Sequence, residues 1–211
     1  TKEGCAKCRP AVNYYLLVKY NDDKYKNDKR SLLVNDRMSA NIQKDGTYSV
    51  IPRIWGGLTT PQELKDMADI AVKYDVPTVK FTGGQRLDML GVKKEQLGPM
   101  WKDLNDCGFV SGQAYAKGLR TVKTCVGNQW CRFGTQDSMG MGVLLEKLTW
   151  GSWMPHKFKL AVSGCPRNWA EATIKDIGII GVDSGWEIHI AGNGGIKVRV
   201  TDFFCKVETD E

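Results

Sequence analysis

Three cysteines in two short segments give this sequence its clearest chemical signal. Cys125 and Cys131 are separated by five residues, and Cys165 opens the run Cys-Pro-Arg-Asn-Trp, which ends at Trp169. Thiolate sulfur is a soft ligand that suits iron, and an iron-sulfur cluster normally takes four cysteines. A second pair with three residues between its members would complete the set. The spacing therefore predicts three of four cluster ligands, and Trp169 stands where the fourth sulfur belongs.

Two other interpretations of these cysteines stay open. A free cysteine packs in a protein interior as a small apolar side chain, so the three could be unrelated buried thiols. Thiolates also bind zinc, so they could belong to a structural zinc site. The loop setting beside Gly and Pro favours a metal-sulfur centre over separate thiols. Cys107 and Cys205 lack that setting and are predicted to be ordinary free cysteines.

The sequence around the cysteines resembles the large subunit of NAD(P)H-dependent nitrite reductases. The resemblance covers nearly the whole chain and is carried by residues 46–53, 79–86, 124–138, 161–168 and 192–198. It implies a sirohaem beside a four-iron four-sulfur (4Fe-4S) cluster held by Cys125, Cys131 and Cys165, and a six-electron reduction of nitrite to ammonium. Sulfite reduction is the alternative, because sulfite is also an oxyanion that takes six electrons.

Position 169 departs from the family pattern. The last cysteine of the family, which joins the cluster to the haem iron, falls where this chain has Trp169. Three explanations stay open: an inactive variant, a cluster with only three protein sulfurs, and a site where another ligand substitutes. The departure predicts impaired activity, and a non-catalytic iron-sulfur or cofactor-binding module is a further alternative.

The resemblance also implies a pocket of basic side chains for the anion. Arginine and lysine pair with an oxyanion and hold water in line for proton supply. The matching residues are Arg53, Arg120, Lys157 and Lys159, with Arg86 as a further contact to the macrocycle. A single basic residue is ordinarily a solvated surface charge. The strand context and the nearby cysteine loops favour a functional role for Arg120, Lys157 and Lys159.

A second cysteine pair lies near the start of the sequence. Cys5 and Cys8 are separated by two residues and precede Pro10 and the apolar stretch 11–18, which is half of a metal-site pattern. The resemblance implies the remnant of a helical two-iron two-sulfur module whose partner cysteines are absent. The pair is therefore expected to be unliganded or to bind zinc.

Composition narrows the class of protein. The chain has 211 residues, a net charge of +6 and an odd number of cysteines, seven, which argues against a disulfide framework. No segment is long and apolar enough to span a bilayer, and no secretory signal is present. No dense basic stripe with stacking aromatics indicates nucleic-acid binding. The sequence predicts a cytoplasmic protein without membrane or nucleic-acid partners, whose basic surplus surrounds anionic ligands.

Hydrophobic periodicity and turn signals place the motifs. Thr60, Pro61 and Glu63 predict a capped helix start. Further helices are expected at 94–105, at 138–148 and just after Pro166. Strands are predicted at 48–54, 78–82, 87–91, 158–163, 177–182, 186–191 and 195–200. His189 alternates with isoleucines in a predicted strand and is expected to face water.

These elements predict an α+β fold. A ferredoxin-like unit is followed by a sirohaem- and cluster-binding α/β half with largely antiparallel sheet. The expected domains are a two-iron two-sulfur remnant at 1–20, a polar linker at 21–47, the ferredoxin-like half at 48–115 and the cluster half at 116–211.

The resemblance implies partners beyond this chain. Related two-repeat enzymes divide the cluster and the basic pocket between repeats, whereas this chain has one repeat carrying both. A symmetric homodimer or another region of the full-length protein is expected to complete the site. FAD and NAD(P)H would bind only to flavin and nicotinamide domains of the full-length enzyme, which could also have a small subunit.

Overall fold

The computed structural model of the protein describes residues 40–112, 114, 118–150, 154 and 156–208. The strands are β1 Asn41–Ile42, β2 Tyr48–Val50, β3 Thr78–Phe81, β4 Leu87–Val92, β5 Lys123–Thr124, β6 Leu160–Ser163, β7 Ile177–Val182, β8 Gly185–Ile190, β9 Asn193–Gly194, β10 Val198–Arg199 and β11 Asp202–Val207. The helices are α1 Pro61–Lys73, α2 Leu97–Asp106, α3 Gly127–Trp130 and α4 Ser138–Thr149, with 3₁₀ turns at Trp55–Gly57, Lys94–Gln96 and Ala172–Ile174. The predicted module around Cys5 and Cys8 lies outside the described residues.

The described residues divide into two compact units. The first unit contains those within 40–54, 59–120 and 151–157, and the second contains those within 55–58, 121–150 and 158–208. The division is not sequential, because the 55–58 turn belongs with the second unit. The strand β1 lies in the segment predicted as a linker, where it pairs with β2. The sequence-based domain boundaries stay a prediction.

The first unit is an antiparallel sheet covered by two helices. Its strands lie in the order β1-β2-β4-β3, and all neighbours are antiparallel. The chain order β2, α1, β3, β4, α2 is the predicted ferredoxin-like order. Large apolar side chains from both helices and from β2 and β4 form one core: Val50, Ile54, Met67, Ile70, Leu87, Met89, Val92, Met100, Leu104 and Phe109.

Helix α1 begins where the local sequence predicts. The Thr60 hydroxyl accepts a hydrogen bond from the Glu63 N–H at 3.1 Å, and the Glu63 carboxylate accepts one from the Thr60 N–H at 2.8 Å. This reciprocal capping box satisfies two N–H groups that a helix start leaves without partners. Pro61 occupies the first helical turn, where its missing N–H costs nothing.

The second unit contains a mixed five-stranded sheet in the order β11-β8-β7-β6-β5. β5 and β6 are parallel, as are β6 and β7, and the other pairs are antiparallel. Parallel neighbours need a long crossover, and α3 and α4 supply it between β5 and β6. β5 and β6 therefore end on the same side of the sheet, at their carboxyl ends. The loops that follow these two ends carry the cysteines.

Three sequence-based assignments in this unit were wrong. The segment after Pro166 is a series of turns, and its 3₁₀ turn starts only at Ala172. The strand predicted over 195–200 is reduced to β10, which pairs with β9. His189, expected to face water, has a side chain only 16% exposed, because it packs edge-on against Phe203 of β11 at 5.7 Å between ring centroids.

One core cluster of the second unit is built from small residues, Ala161, Ala170 and Ala172, together with Ile180. Larger side chains, among them Trp186 and Val162, are buried in this unit as well. A Cβ atom added to Gly178 would lie 2.2 Å from the Ala172 carbonyl oxygen, so only glycine allows this approach. Among the described helices, none combines the length and the apolar character that crossing a membrane requires.

Candidate functional site

Cys125 follows directly after β5, and neighbouring groups fix its thiol. The Gly164 N–H donates to the Cys125 Sγ over 3.1 Å, and the Ser138 Oγ lies 3.1 Å from the same sulfur. The Ser138 hydroxyl is also 3.0 Å from the Cys125 carbonyl oxygen, to which it donates. The Cys125 sulfur is therefore held in a fixed position within the loop.

The two cysteine segments are joined through Gly164. Its carbonyl oxygen accepts from the Thr135 N–H at 2.8 Å and from the Gln136 N–H at 3.1 Å. A Cβ on Gly164 would lie 2.8 Å from the Gln136 carbonyl oxygen and 3.1 Å from the Gly127 Cα. The loop that leads to Cys165 is thus in backbone contact with the loop that follows Cys125.

Cys131 ends the short helix α3 within the same loop. Its N–H donates to the Gly127 carbonyl at 3.0 Å, and its own carbonyl accepts from the Gly134 N–H at 2.9 Å. Gly127 has a φ of +64°, a conformation that glycine adopts without strain. The structure therefore places the main chains of Cys125, Cys131 and Cys165 in one hydrogen-bonded pair of loops.

The position predicted for a fourth sulfur does not fit a cluster ligand. The Trp169 side chain is 82% exposed, and an indole offers an N–H donor but no thiolate. The loop around it is held by other residues: the Asn168 Oδ1 accepts from the Ala172 N–H at 2.6 Å, and the Ser163 Oγ accepts from the Ala170 N–H at 3.1 Å. Three positions of the site fit an iron-sulfur cluster, and position 169 does not.

Zinc binding would need the three sulfurs to lie close together. A tetrahedral zinc ion holds its sulfurs about 2.3 Å from the metal, which brings the donors close to one another. In the part of the chain that the structure describes, no three His, Cys, Asp or Glu side chains are grouped to hold a metal ion. The described residues therefore do not support the zinc interpretation of these three cysteines. A cluster binds each thiolate to a different iron, so it separates the sulfurs more widely and is not excluded.

An ion-pair network links the two cysteine segments a second time. The Glu171 carboxylate lies 3.0 Å from the Lys175 Nζ and 3.1 Å from the Lys123 Nζ on β5. These hydrogen bonds, that from Lys175 first, lower the pKa of Glu171. The Glu171 carboxylate, which is close in sequence to Cys165, is thus already paired with two lysines.

Glu146 is a buried residue of this site that sequence reasoning missed. Its Oε2 accepts from the Gly56 N–H at 2.8 Å and from the Val122 N–H at 2.9 Å. The Thr124 hydroxyl donates to the Gly56 carbonyl at 2.6 Å. Glu146 therefore fixes the 55–58 turn against the segment that leads through β5 to Cys125. The single acidic residue of the largely apolar α4 was the only signal in the sequence.

The basic residues predicted to bind the anion are distributed between the units. Arg53 is 2% exposed, and its Nη1 donates to the Gly112 carbonyl at 2.6 Å in the first unit. Arg120, which is half-buried, and Lys157, which is exposed, also belong to that unit. Lys159 belongs to the second unit, where its N–H donates to Asp176 at 2.7 Å.

Arg86, predicted to contact the macrocycle, lies on the turn that enters β4. It is half-buried in the first unit, and its carbonyl accepts from the Thr82 N–H at 2.8 Å. The structure thus places Cys125, Cys131 and Cys165 together with Lys159 in the second unit and the remaining basic residues in the first. The roles of all these residues stay a prediction.

Comparisons with known proteins give two family matches. Residues 115–211 match the family described as "Nitrite and sulphite reductase 4Fe-4S domain", and residues 41–107 match "Nitrite/Sulfite reductase ferredoxin-like half domain". The assimilatory-type sulfite reductase of Nitratidesulfovibrio vulgaris is 39% identical over 81% of this chain and 78% of its own length.

This chain belongs to the nitrite and sulphite reductase family. The NAD(P)H nitrite reductase of Bacillus subtilis is 58% identical over all of this chain and 26% of its own length. The NADH nitrite reductase large subunit of Escherichia coli is 48% identical over 96% of this chain and 24% of its own length. The predicted resemblance is confirmed, and the chain spans about a quarter of these relatives.

Solved structures confirm the predicted fold class of this family member. The NirA protein of Mycobacterium tuberculosis has a TM-score of 0.69 and 16% identity, over 89% of this chain and 40% of its own. Dissimilatory sulfite reductase I has a TM-score of 0.56 and 20% identity, over 63% of this chain and 32% of its own. At such identities the likeness shows a shared α+β fold.

Proposed function

We propose that this chain is the cofactor-binding catalytic region of an NAD(P)H-dependent nitrite reductase that reduces nitrite to ammonium. The observation that carries the proposal is the loop pair joined at Gly164, which presents Cys125, Cys131 and Cys165 within a 4Fe-4S family domain. The preference for nitrite over sulfite rests on identity, which is 58% and 48% to two nitrite reductases and 39% to the sulfite reductase.

The cofactors of this proposal are a four-iron four-sulfur cluster and a sirohaem. When bound, they supply the electrons and the metal at which the nitrogen of nitrite is reduced. Cys125, Cys131 and Cys165 would hold the cluster. Trp169 does not fit the position that joins cluster to haem, so no transfer between the two is derived for this chain.

The basic residues would bind the anion and supply protons. Converting nitrite to ammonium consumes six electrons and eight protons and releases two waters, so the pocket must deliver protons repeatedly. Arg53, Arg120, Lys157 and Lys159 would hold the oxyanion and order the water that carries those protons. Arg86 would bind carboxylates of the macrocycle, for which a guanidinium offers two parallel donors.

The rest of the electron path lies in the full-length protein. The chain spans about a quarter of its NAD(P)H-dependent relatives, which supports flavin and nicotinamide domains outside it. A small subunit and a homodimer that completes the site belong to the same proposal. The five described cysteines are all free, which supports a reducing compartment, the cytoplasm.

Sulfite reduction is the second candidate. The observation that favours it is the match to an assimilatory-type sulfite reductase, of which this chain covers 78%. Parallel assays with nitrite and sulfite separate the candidates.

The test uses the full-length enzyme, loaded with both cofactors, in its natural form and as Trp169→Cys. A chemical electron donor replaces NAD(P)H, and ammonium and sulfide are measured from nitrite and sulfite respectively. We expect Trp169→Cys to form ammonium at least tenfold faster than the natural form. A Lys159→Met change in that background should raise the KM for nitrite, whereas Lys65→Met on the surface of α1 should change nothing. A fully loaded Trp169→Cys enzyme without nitrite reduction would overturn the proposal.

A further inference from the structure

We propose that this chain holds its iron-sulfur cluster by three protein thiolates and leaves the fourth iron open to a small ligand from solution. The thiolates are those of Cys125, Cys131 and Cys165, and the solution ligand is hydroxide or a small thiol. The inference rests on the cluster binding in the proposed function. It depends on one observation: the loop pair carries three cysteines, and Trp169, which stands at the position of the fourth, is exposed.

Cys205 cannot supply the fourth sulfur. It lies on β11 at one edge of the five-stranded sheet, whereas Cys125 follows β5 at the opposite edge. Four strand spacings of roughly 4.8 Å separate the two edges by about 19 Å. That distance exceeds any cluster by a wide margin, so the sheet order removes this cysteine from the site.

Cys107 is a poor candidate for a different reason. It lies in the first unit directly after α2, where burial and the carboxylates of Asp66, Asp103 and Asp106 raise its pKa. Iron binds the thiolate, and an acidic environment disfavours that form. The remaining described cysteines are the three of the loop pair.

The polar side chains close to position 169 already have partners that hold the loop in place. The Asn168 amide binds the Ala172 N–H and the Thr173 hydroxyl, and the Ser163 hydroxyl binds the Ala170 N–H. The Glu171 carboxylate is paired with two lysines. Taking any of them as an iron ligand would break contacts that set the backbone around position 169.

Because other residues hold this loop, position 169 can be substituted without disturbing it. The loop around position 169 is shaped by Ser163 and Asn168, and the Trp169 side chain projects into solvent. Exchanging an exposed side chain outside such contacts usually changes stability little. Trp169→Cys can therefore add a thiol without rebuilding the loop, and Trp169→Ala is its match without a ligand atom.

The experiment measures iron exchange in the full-length protein. The natural form, Trp169→Cys and Trp169→Ala are reconstituted anaerobically with ferrous iron and sulfide, then incubated with isotopically labelled ferrous iron. Mass spectrometry and Mössbauer spectroscopy count the labelled irons. We expect one labelled iron in four for the natural form and for Trp169→Ala, and none for Trp169→Cys.

Each other outcome counts against the inference in a distinct way. If the natural form and Trp169→Cys exchange iron equally, the fourth ligand is not missing at position 169, and the inference fails while cluster binding stands. If the natural form retains all four irons and a Cys5→Ser, Cys8→Ser double variant does not, the fourth sulfur comes from the N-terminal pair. If none of the variants assembles a cluster, the cluster assignment of the proposed function fails as well.

Discussion

The two units of this protein differ in how their described core clusters are packed. The first unit buries large side chains, such as Met89, Met100 and Leu104, between its helices and its sheet. The second unit has a core cluster of three alanines and one isoleucine beside larger buried side chains, and its glycines allow backbone segments to approach closely, as at Gly164 and Gly178. Polar side chains hold the loops that carry its cysteines.

This difference reflects what each unit has to position. Apolar packing is nondirectional and stabilises a helix-covered sheet, whereas hydrogen bonds and close backbone contacts fix the path of a loop. The cysteines lie on such loops, and Glu146, Ser138 and Asn168 hold the backbone that carries or faces them. Large-to-small changes in the core should therefore destabilise the first unit. Losing polar contacts, or adding volume where backbone segments approach closely, should destabilise the second unit.

The largest expected effect comes from Glu146→Leu in the second unit. The change leaves the buried N–H groups of Gly56 and Val122 without their acceptor, at about 1–3 kcal/mol each in the free energy of unfolding. Glu146→Gln keeps an oxygen in place and should lose markedly less. Urea unfolding measures both variants, and equal losses would show that the charge, not the hydrogen bonds, matters.

Leu104→Ala is the corresponding change in the first unit. Leu104 is fully buried in α2, so the lost apolar contacts and the cavity should cost about 2–5 kcal/mol in the free energy of unfolding. Val72→Ala on α1 is the control, because its side chain is 77% exposed. A loss as small as that of the control would mean that this core does not stabilise the unit.

Gly164→Ala tests the second unit by adding volume, whereas Leu104→Ala removes volume from the first. Its Cβ would meet the Gln136 carbonyl at 2.8 Å, so the loops must separate, at about 1–3 kcal/mol. Gly98→Ala makes the same exchange in α2, where a Cβ meets nothing within 4 Å, and should stabilise by up to about 1 kcal/mol. Thermal unfolding compares the two, and shifts of the same sign would contradict the contrast between the units.

Thr60→Ala should remove the cap of α1 at a cost of about 1 kcal/mol. The Thr60 hydroxyl then no longer accepts from the Glu63 N–H, and the capping box is lost. Thr60→Ser keeps the acceptor and should retain most of the stability. Hydrogen exchange should quicken at the first turn of α1 in the alanine variant, while exchange at α4 should be unchanged.

The smallest effect is a pH dependence from Glu171. Its pKa lies below the usual 4.5 in the folded protein, so its ion pairs stabilise the fold above that value and lose this contribution as pH falls through the folded pKa. The side chain is 52% exposed, so solvent screening limits the gain to less than about 1 kcal/mol. Glu171→Gln should be less stable than the natural protein at neutral pH and equal to it in acid. A difference that persists in acid would rule out the ion pairs as its cause.

Local signals were sufficient for part of this structure. Thr60, Pro61 and Glu63 predicted the start of α1, because all the interacting groups lie within one turn. Gly and Pro beside the cysteines predicted loops there, and the structure adds the short helix α3 between Cys125 and Cys131. Glu146 was missed because its partners lie 24 and 90 residues away in the chain. β11 was missed, and His189 misplaced, because both depend on pairing with β8 rather than on their own sequence.

The central claim is that two hydrogen-bonded loops hold one iron-sulfur cluster through three thiolates. The most direct measurement is the iron and acid-labile sulfide content of the full-length protein after anaerobic reconstitution, for Cys125→Ser, Cys131→Ser, Cys165→Ser and the control Cys205→Ser. We predict that each of the first three loses the cluster and that Cys205→Ser keeps it. A Cys165→Ser protein with the full iron and sulfide content of the natural form would contradict the claim.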